Sequence, residues 1–404
     1  MPHASRDFVP PTVGAAASRP ASVWRALLEE PVRAGGAVPW LAPEALDHLG
    51  DPDGERVDLL VGRPVLVPRL ARGHVRVRGA DRIDFLQGQL SQDVRGLTDG
   101  AAATALYLDP KGRPQAGLTV HRRPDDLYLS VEDGQGPAAL AELRAHVVFD
   151  QVELDDVSEA AVGARGLVAF TLVAGDVTVL VHELVAAFPS LTADAAGVAI
   201  EERRTVNVPL AEGGAHALLG FGTLGPLATV DVTLLACDLR EPWHALAAGG
   251  VRPVGERALT AARVAHGVAT VRGEGAHGLP QETGLADRVH PRKGCYLGQE
   301  IMARVEARGR LRRGLYGLAL RRPLPALGVA AGWRIEDANG GTVVGAVGSA
   351  APAPDGEGWW ALAVLRHDAA EAAADAHGAP WLVRPEGDVP PLGPDAVGAS
   401  LRQL

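Results

Sequence analysis

Residues 292–300 (RKGCYLGQE) form the segment that most strongly decides how this sequence is interpreted. The segment stands directly before a predicted helix over residues 299–307, which a glycine at position 309 ends. Gly294 and Gly298 allow the backbone to adopt positive φ values and to approach a ligand closely. The pattern therefore predicts a glycine-flanked loop that leads into a helix and presents its side chains to a binding partner.

Cys295 is the candidate functional thiol of this segment. It precedes the predicted helix start, where free backbone N–H groups and the helix dipole favour an anion. Lys293 adds a nearby positive charge, and both effects favour the thiolate. Glu300 lies in the first helical turn and is predicted to pair with Arg304. The residues themselves leave open the alternative of a glycine turn around a buried, inert cysteine.

The second cysteine, Cys237, lies in the apolar run 234–239 (LLACDL). We predict that it is a small hydrophobic residue of a core, where burial disfavours its thiolate. Two cysteines cannot supply a disulfide framework or the four thiolates of an iron–sulfur cluster. Among the 39 lysines and arginines only Lys111 and Lys293 are lysines. A compact ammonium differs from a planar guanidinium, so both positions are candidates for a specific role, with chance as the alternative.

The composition indicates a globular acidic protein. With 404 residues, 47% of them hydrophobic, the chain can build more than one domain. The net charge of −10 argues against a protein coated with nucleic acid, although arginines crowd residues 304–322 and could meet an anionic partner or an RNA backbone. No apolar run reaches the length of a transmembrane helix, and no secretory signal is recognisable, so we expect a cytoplasmic protein.

Hydrophobic periodicity predicts an α+β fold with mostly antiparallel sheets. Its predicted strands include residues 73–79, 105–108, 127–131, 166–172 and 177–182, and its predicted helices include residues 22–30, 137–147, 183–196 and 256–267. From residue 314 onward five short alternating strands predict a small β-barrel. We therefore divide the chain into an N-terminal extension (1–64), two interwoven α+β subdomains (65–310) and a C-terminal β-barrel domain (311–404).

A tight turn at residues 109–113 (DPKGR) is the second candidate for chemistry. It presents Lys111 and Arg113, which could hold a carboxylate or a phosphate, whereas a solvated hairpin tip is the alternative. Motifs for a dinucleotide, a P-loop, a structural zinc site or a nucleophile elbow are absent from the sequence. We therefore expect no metal site.

Four segments together resemble the YgfZ family of folate-binding proteins, which are relatives of the glycine-cleavage T-protein. Residues 293–300 match the signature K-G-C-Y-x-G-Q-E, and residues 109–113 match the D-P-K-G-R turn. Residues 84–94 (DFLQGQLSQDV) and 279–282 (LPQE) resemble two further family elements in the same order. The resemblance covers about residues 65–320.

The resemblance implies a T-protein-like folate-binding fold and tetrahydrofolate, or a derivative, as the ligand. It implies a role in iron–sulfur cluster assembly or repair, with iron–sulfur proteins or assembly factors as partners, and leaves tRNA open as a further partner. Cys295 would be the functional thiol, and Lys293 and Glu300 complete the candidate catalytic set. The expected folate-binding residues are Arg263, Lys111, Arg113, Gln89, Asp93, Glu282, Tyr296 and Gln299.

One departure from T-proteins separates the alternatives. The pair of aspartates that T-proteins carry for aminomethyl chemistry falls here on Ala116 and Gly117, which can act neither as acid nor as base. We therefore predict no glycine-cleavage activity and leave open whether the chain catalyses any reaction. A folate-dependent aminomethyl- or methyltransferase remains the second hypothesis, and a non-enzymatic scaffold for a protein or tRNA is the third.

Overall fold

The computed structural model describes residues 23–29, 40–42, 45–46, 48–49, 51–201, 205–210, 216–324, 328–337, 341–374, 381–385, 397–402 and 404. In these ranges the helices are α1 (Val23–Glu29), α2 (Pro52–Leu60), α3 (Arg82–Gln89), α4 (Gly136–Ala145), α5 (Glu159–Val162), α6 (Val177–Ala187), α7 (Ala193–Glu201), α8 (Arg240–Ala248), α9 (Glu256–Ala265), α10 (Gln299–Arg308) and α11 (His367–Ala374). None of these helices is long and apolar enough to cross a membrane.

The strands of the same ranges are β1 (Trp40–Ala42), β2 (Ala45–Leu46), β3 (Val65–Pro68), β4 (Gly73–Arg78), β5 (Ala102–Leu108), β6 (Pro114–Arg122), β7 (Leu127–Val131), β8 (Glu153–Asp156), β9 (Leu167–Ala174), β10 (Thr205–Pro209), β11 (His216–Leu224), β12 (Leu227–Leu235), β13 (Arg252–Pro253), β14 (Arg313–Leu320), β15 (Gly328–Asp337), β16 (Val343–Pro352), β17 (Trp359–Arg366), β18 (Trp381–Pro385) and β19 (Val397–Arg402). Helices and mostly antiparallel strands occur together, so the predicted α+β class is confirmed.

The chain divides into two compact units. The first contains the described residues of Met1–Phe85, Gly96–Ala103 and Thr119–Glu256, and the second contains those of Leu86–Arg95, Thr104–Leu118 and Arg257–Leu404. A five-stranded sheet has the order β5-β6-β7-β4-β8, and its strands β5 and β6 contribute residues to both units. The three-part division predicted from the sequence stays a prediction.

The first unit is built around a six-stranded sheet with the order β10-β11-β12-β9-β3-β13. Helix α1 belongs to its core, because Trp24 lies edge-on to Phe170 with ring centroids 6.2 Å apart and contacts Trp243 at 5.7 Å. Trp24 is 2% exposed. The described helix at residues 23–29 is therefore packed on the first unit and contributes to its stability.

The predicted strand at residues 177–182 is wrong, because these residues begin helix α6. The alternation of valines imitates a strand, but Asp176 accepts a hydrogen bond from the Thr178 N–H and caps a helix. Leu180 and Leu184 then fall on one helical face and are buried in the core of the first unit. Helical spacing and the cap outweigh the strand preference of β-branched residues.

The second unit contains a closed antiparallel barrel with the strand order β14-β17-β16-β15-β18-β19. Its centre is filled by apolar side chains, including Leu318, Ile335 and Val347. Helix α9 packs on the outside of the barrel, where Val264 contacts the cluster that contains Leu362. The predicted C-terminal β-barrel is therefore confirmed.

Candidate functional site

The loop at residues 292–298, called here the signature loop, is fixed to the C-terminal end of helix α3. The Lys293 Nζ donates to the backbone oxygen of Gln87 at 2.5 Å and to that of Leu90. The Gln87 side-chain amide donates in return to the Lys293 backbone oxygen at 3.0 Å. Farther along the loop the Leu297 N–H donates to the Gly88 oxygen at 3.1 Å. We call these four hydrogen bonds the clasp.

The ammonium of Lys293 therefore satisfies carbonyl groups that a helix leaves unpaired at its C-terminus, where the dipole also favours a cation. It lies 4.9 Å from the centre of the Tyr296 ring. Burial lowers the pKa of Lys293 to about 8, against an opposing influence of Asp93, while Arg95 lowers it further. The Lys293 ammonium is thus hydrogen-bonded to the end of helix α3 rather than directed into solvent.

Backbone packing brings the 109–113 turn against the signature loop. Gly298 has φ +82°, and a Cβ atom there would lie 2.5 Å from the Asp109 backbone oxygen. Gly112 has φ +76°, and a Cβ atom there would lie 3.3 Å from the Gly298 oxygen. Both positions therefore require glycine for conformation and for space. Two segments that the sequence separates by about 180 residues form one surface of the second unit.

The turn itself is closed by Asp109. Its Oδ1 accepts hydrogen bonds from the backbone N–H groups of Lys111 and Arg113, each at 2.8 Å. Both basic side chains are exposed. An Asx-type turn of this kind fixes the backbone and presents two cations beside the signature loop.

Cys295 lies between the two anchors of the signature loop, Lys293 and Leu297, and is exposed. Helix α10 begins four residues later at Gln299, whose side-chain oxygen accepts a hydrogen bond from the Tyr296 N–H at 3.2 Å. The predicted pairing of Glu300 is confirmed, because Arg304 donates to its Oε1 at 2.5 Å. The alternative of a buried cysteine in this turn is therefore excluded.

Two predicted folate-binding residues lie at the end of α3, beside the clasp. Asp93 Oδ1 accepts a hydrogen bond from the Gln87 side chain at 3.1 Å. The Gln89 Oε1 is buried and has no hydrogen-bond partner among the described residues. Together with Tyr296, Gln299, Lys111 and Arg113, these side chains belong to three segments that the structure brings together.

Arg263 and Glu282 are held elsewhere in the second unit. Arg263 is buried, donates to the Val268 oxygen at 2.7 Å and to Ser349 Oγ at 3.1 Å, and has the buried Glu274 carboxylate 3.8 Å away. Glu282 accepts a hydrogen bond from the Leu279 N–H at 3.1 Å and so closes its own turn. Both side chains stabilise the structure around them, and their contact with a folate stays a prediction.

The prediction that Cys237 lies in a core is wrong. Strand β12 ends at Leu235, and the next residues form a short 3₁₀ turn in which Ala236 is buried and Cys237 is exposed. Partial burial and the neighbouring Asp238 carboxylate raise the pKa of the Cys237 thiol. The predicted direction for its thiolate therefore holds, although the thiol is not in a core.

A buried polar cluster in the first unit was not predicted from the sequence. His74 Nδ1 is hydrogen-bonded to the Tyr128 hydroxyl, and His121 Nδ1 lies 3.3 Å from Thr205 Oγ1. Arg72 is close by, 3.8 Å from an oxygen of Asp231. His74 on strand β4 and His121 on strand β6 are both almost fully buried. A histidine on an alternating strand was the available signal.

Burial lowers the pKa of His74 to about 3 and that of His121 to about 4, and the nearby Arg72 acts in the same direction. Both rings are therefore neutral at physiological pH. In the parts of the chain that the structure describes, no group of three or more His, Cys, Asp or Glu side chains is arranged to hold a metal ion.

Comparison with known proteins gives relatives over most of the chain. No family model matches it. It is 27% identical over 305 residues to the tRNA-modifying protein YgfZ of Yersinia pestis (strain Pestoides F), covering 73% of this chain and 82% of the relative. It is 29% identical over 310 residues to the protein of the same name from Serratia proteamaculans (strain 568), with the same coverage.

A solved structure, the glycine cleavage system aminomethyltransferase T from Bartonella henselae, superposes with a TM-score of 0.68 at 15% sequence identity. The superposition covers 94% of this chain and 96% of that chain. At this identity the likeness establishes the fold. The resemblance to the YgfZ family is thus confirmed, and the chain has the fold of the glycine cleavage T-protein.

Proposed function

We propose that this chain is a folate-binding, YgfZ-like protein that supports the assembly or repair of iron–sulfur clusters through the Cys295 thiol. The observation that carries the proposal is the placement of this thiol. It is exposed on a loop that is fixed on both sides, by Lys293 and Leu297, to the end of α3. An accessible thiol on a rigid support is suited to repeated reaction with a partner.

The expected ligand is tetrahydrofolate or a derivative, and the residues of the second unit fit such a molecule. The Gln89 Oε1, which accepts no hydrogen bond from the described part of the chain, offers an acceptor for the amino or N–H groups of a pterin. Lys111 and Arg113 offer exposed cations for the glutamate carboxylates of a folate. Asp93, Tyr296 and Gln299 are the other residues that would hold it, and when bound the folate would supply one-carbon chemistry.

An aminomethyltransferase of the T-protein type is the less supported alternative. Ala116 is buried and Gly117 has no side chain, so neither offers an acid or base at the position where T-proteins carry an aspartate pair. Such a group typically contributes about 10²–10⁴-fold to a rate. We therefore propose a supporting rather than a glycine-cleaving role.

The names of the relatives, which are called tRNA-modifying proteins, suggest which iron–sulfur proteins this chain would support. We propose that the benefiting iron–sulfur proteins include a tRNA-modifying enzyme, and that the protein acts in the cytoplasm. The exposed arginines at positions 310, 312 and 313 could serve a protein or tRNA partner. A scaffold without chemistry would use the same surface but would not need the thiol.

Titration calorimetry with tetrahydrofolate tests the ligand. We expect binding to the wild-type protein, and a loss of affinity of about ten- to a hundredfold when Lys111 and Arg113 are both replaced with alanine, because a hydrogen bond to a charged group contributes about 1.5–3 kcal/mol. The double variant Arg321→Ala/Arg322→Ala, which removes two arginines outside the site, is the control.

An absence of heat with tetrahydrofolate at millimolar concentration would contradict the folate assignment. Equal affinities of the two double variants would show that the 109–113 turn does not hold the ligand. Turnover of an aminomethyl-loaded carrier protein with tetrahydrofolate would instead support the aminomethyltransferase.

A further inference from the structure

We propose that Lys293 is a positioning residue, which fixes the signature loop to helix α3 and thereby holds Cys295 in a defined place. The sequence pattern suggests a different role, namely a cation that stabilises the Cys295 thiolate. The two roles make different demands on the lysine side chain. The effect of a Lys293 substitution in cells rests on the proposed function of Cys295, whereas its effect on the conformation of the signature loop does not.

The contacts of the ammonium support the positioning role. Lys293 Nζ donates to the backbone oxygens of Gln87 and Leu90. These oxygens lie in the last turn and just beyond the end of a helix, where they have no helical partners. An ammonium is a compact group with three donors, so one lysine side chain can bind both carbonyl oxygens at once.

The clasp contains hydrogen bonds in both directions between the signature loop and the end of helix α3. Gln87 Nε2 donates to the Lys293 oxygen, and Gln87 Oε1 accepts from the N–H groups of Val94 and Arg95 at 2.7 and 3.1 Å. One glutamine therefore joins the signature loop to the segment that follows α3. Such a network fixes the backbone on both sides of the lysine.

The position of Cys295 explains why the loop needs this support. Gly294 has φ +92°, and apart from its chain neighbours no atom of the described residues lies within 4 Å of the place where its Cβ would stand. The chain therefore turns sharply with open space beside Gly294. Lys293 before the cysteine and the Leu297 N–H after it are the ties that connect this stretch to α3.

Hydrogen exchange and alkylation of Cys295 in the Lys293→Met variant test the inference, in a Cys237→Ala background so that one thiol reacts. We expect the Leu297 amide to exchange about ten- to a hundredfold faster, because charge-assisted hydrogen bonds of about 1.5–3 kcal/mol are lost from the closed loop. The pH midpoint of alkylation should stay in place. Lys111→Met, the matched change of the other lysine, should leave Leu297 exchange unchanged.

Two results would overturn the inference: an unchanged Leu297 exchange rate, or an alkylation midpoint that rises by about one pH unit, as loss of a thiolate-stabilising cation would produce. If Lys293→Met does not fold, Lys293→Gln replaces it: the amide keeps a donor for the carbonyl oxygens without the charge, so the positioning role predicts an unchanged alkylation midpoint and the thiolate-stabilising role predicts a raised one.

The cellular readout separates this inference from the proposed function. Lys293→Met should reduce the support of iron–sulfur enzymes, with partial recovery in Lys293→Arg. If Cys295→Ala supports these enzymes fully while Lys293→Met still speeds Leu297 exchange, the proposed function fails and the positioning role stands. If Cys295→Ala abolishes support while Leu297 exchange is unaffected by Lys293→Met, the positioning role fails alone.

Discussion

Replacement of Arg263 with methionine is expected to lower the free energy of unfolding by about 3–5 kcal/mol, because it leaves a buried carboxylate without its cation. Glu274 is 0% exposed, and its Oε1 has no hydrogen-bond partner among the described residues. Its Oε2 accepts from the Thr270 N–H at 2.8 Å and lies 3.8 Å from Arg263. Arg263 also joins α9 to barrel strand β16 through Ser349.

Urea unfolding of the wild-type and variant proteins measures this loss. Arg304→Met is the matched control, since Arg304 pairs with Glu300 where both side chains are exposed, and exposed pairs contribute little. A wild-type stability in Arg263→Met, combined with loss of tetrahydrofolate binding, would show that Arg263 serves the ligand rather than the fold.

Acidification from pH 7 to pH 5 is expected to destabilise the first unit by about 4 kcal/mol through His74 and His121. Burial lowers the pKa values of the two rings to about 3 and about 4, against an ordinary value of 6.5. Between about pH 4 and pH 6.5 the two histidines are protonated in the unfolded chain but remain neutral in the folded chain. Stability is therefore fully present above pH 6.5 and falls as the pH decreases toward 4.

The charged groups around the two histidine rings are consistent with lowered pKa values and hence with a loss of stability on acidification. Arg72 opposes protonation of both rings, and Arg123 opposes that of His121, whereas Asp133 and Asp231 favour it and do not outweigh burial. The free energy of unfolding should be measured between pH 5 and 7.5 for the wild type and for His121→Asn. The variant should retain about half of the pH dependence, and a flat wild-type profile in this window would contradict the prediction.

Much of the fold follows from local pattern. The strand predicted at residues 127–131 is β7, and the helix predicted over residues 299–307 is α10 with one further residue. Both have clear periodicity and clear ends. Helix α6 was missed because its valines alternate as in a strand, and the deciding contacts come from the sheet on which Leu180 packs.

The chemistry of the site was less accessible from sequence. The spacing of residues 293–300 identified the signature loop, but the partners of Lys293 are carbonyls about 200 residues earlier, and pattern analysis does not indicate such contacts. Cys237 was misplaced because a 3₁₀ turn rotates it out of an apolar run. Side-chain direction in a short turn depends on backbone conformation that composition does not specify.

The central claim is that Cys295 is the functional thiol. The most direct measurement is the activity of an iron–sulfur enzyme in cells that lack the endogenous protein and express either Cys295→Ala or Cys237→Ala at equal levels. Both cysteines are exposed, so both changes should be tolerated by the fold. We predict that Cys295→Ala fails to restore the enzyme and that Cys237→Ala restores it fully; full restoration by Cys295→Ala would contradict the account.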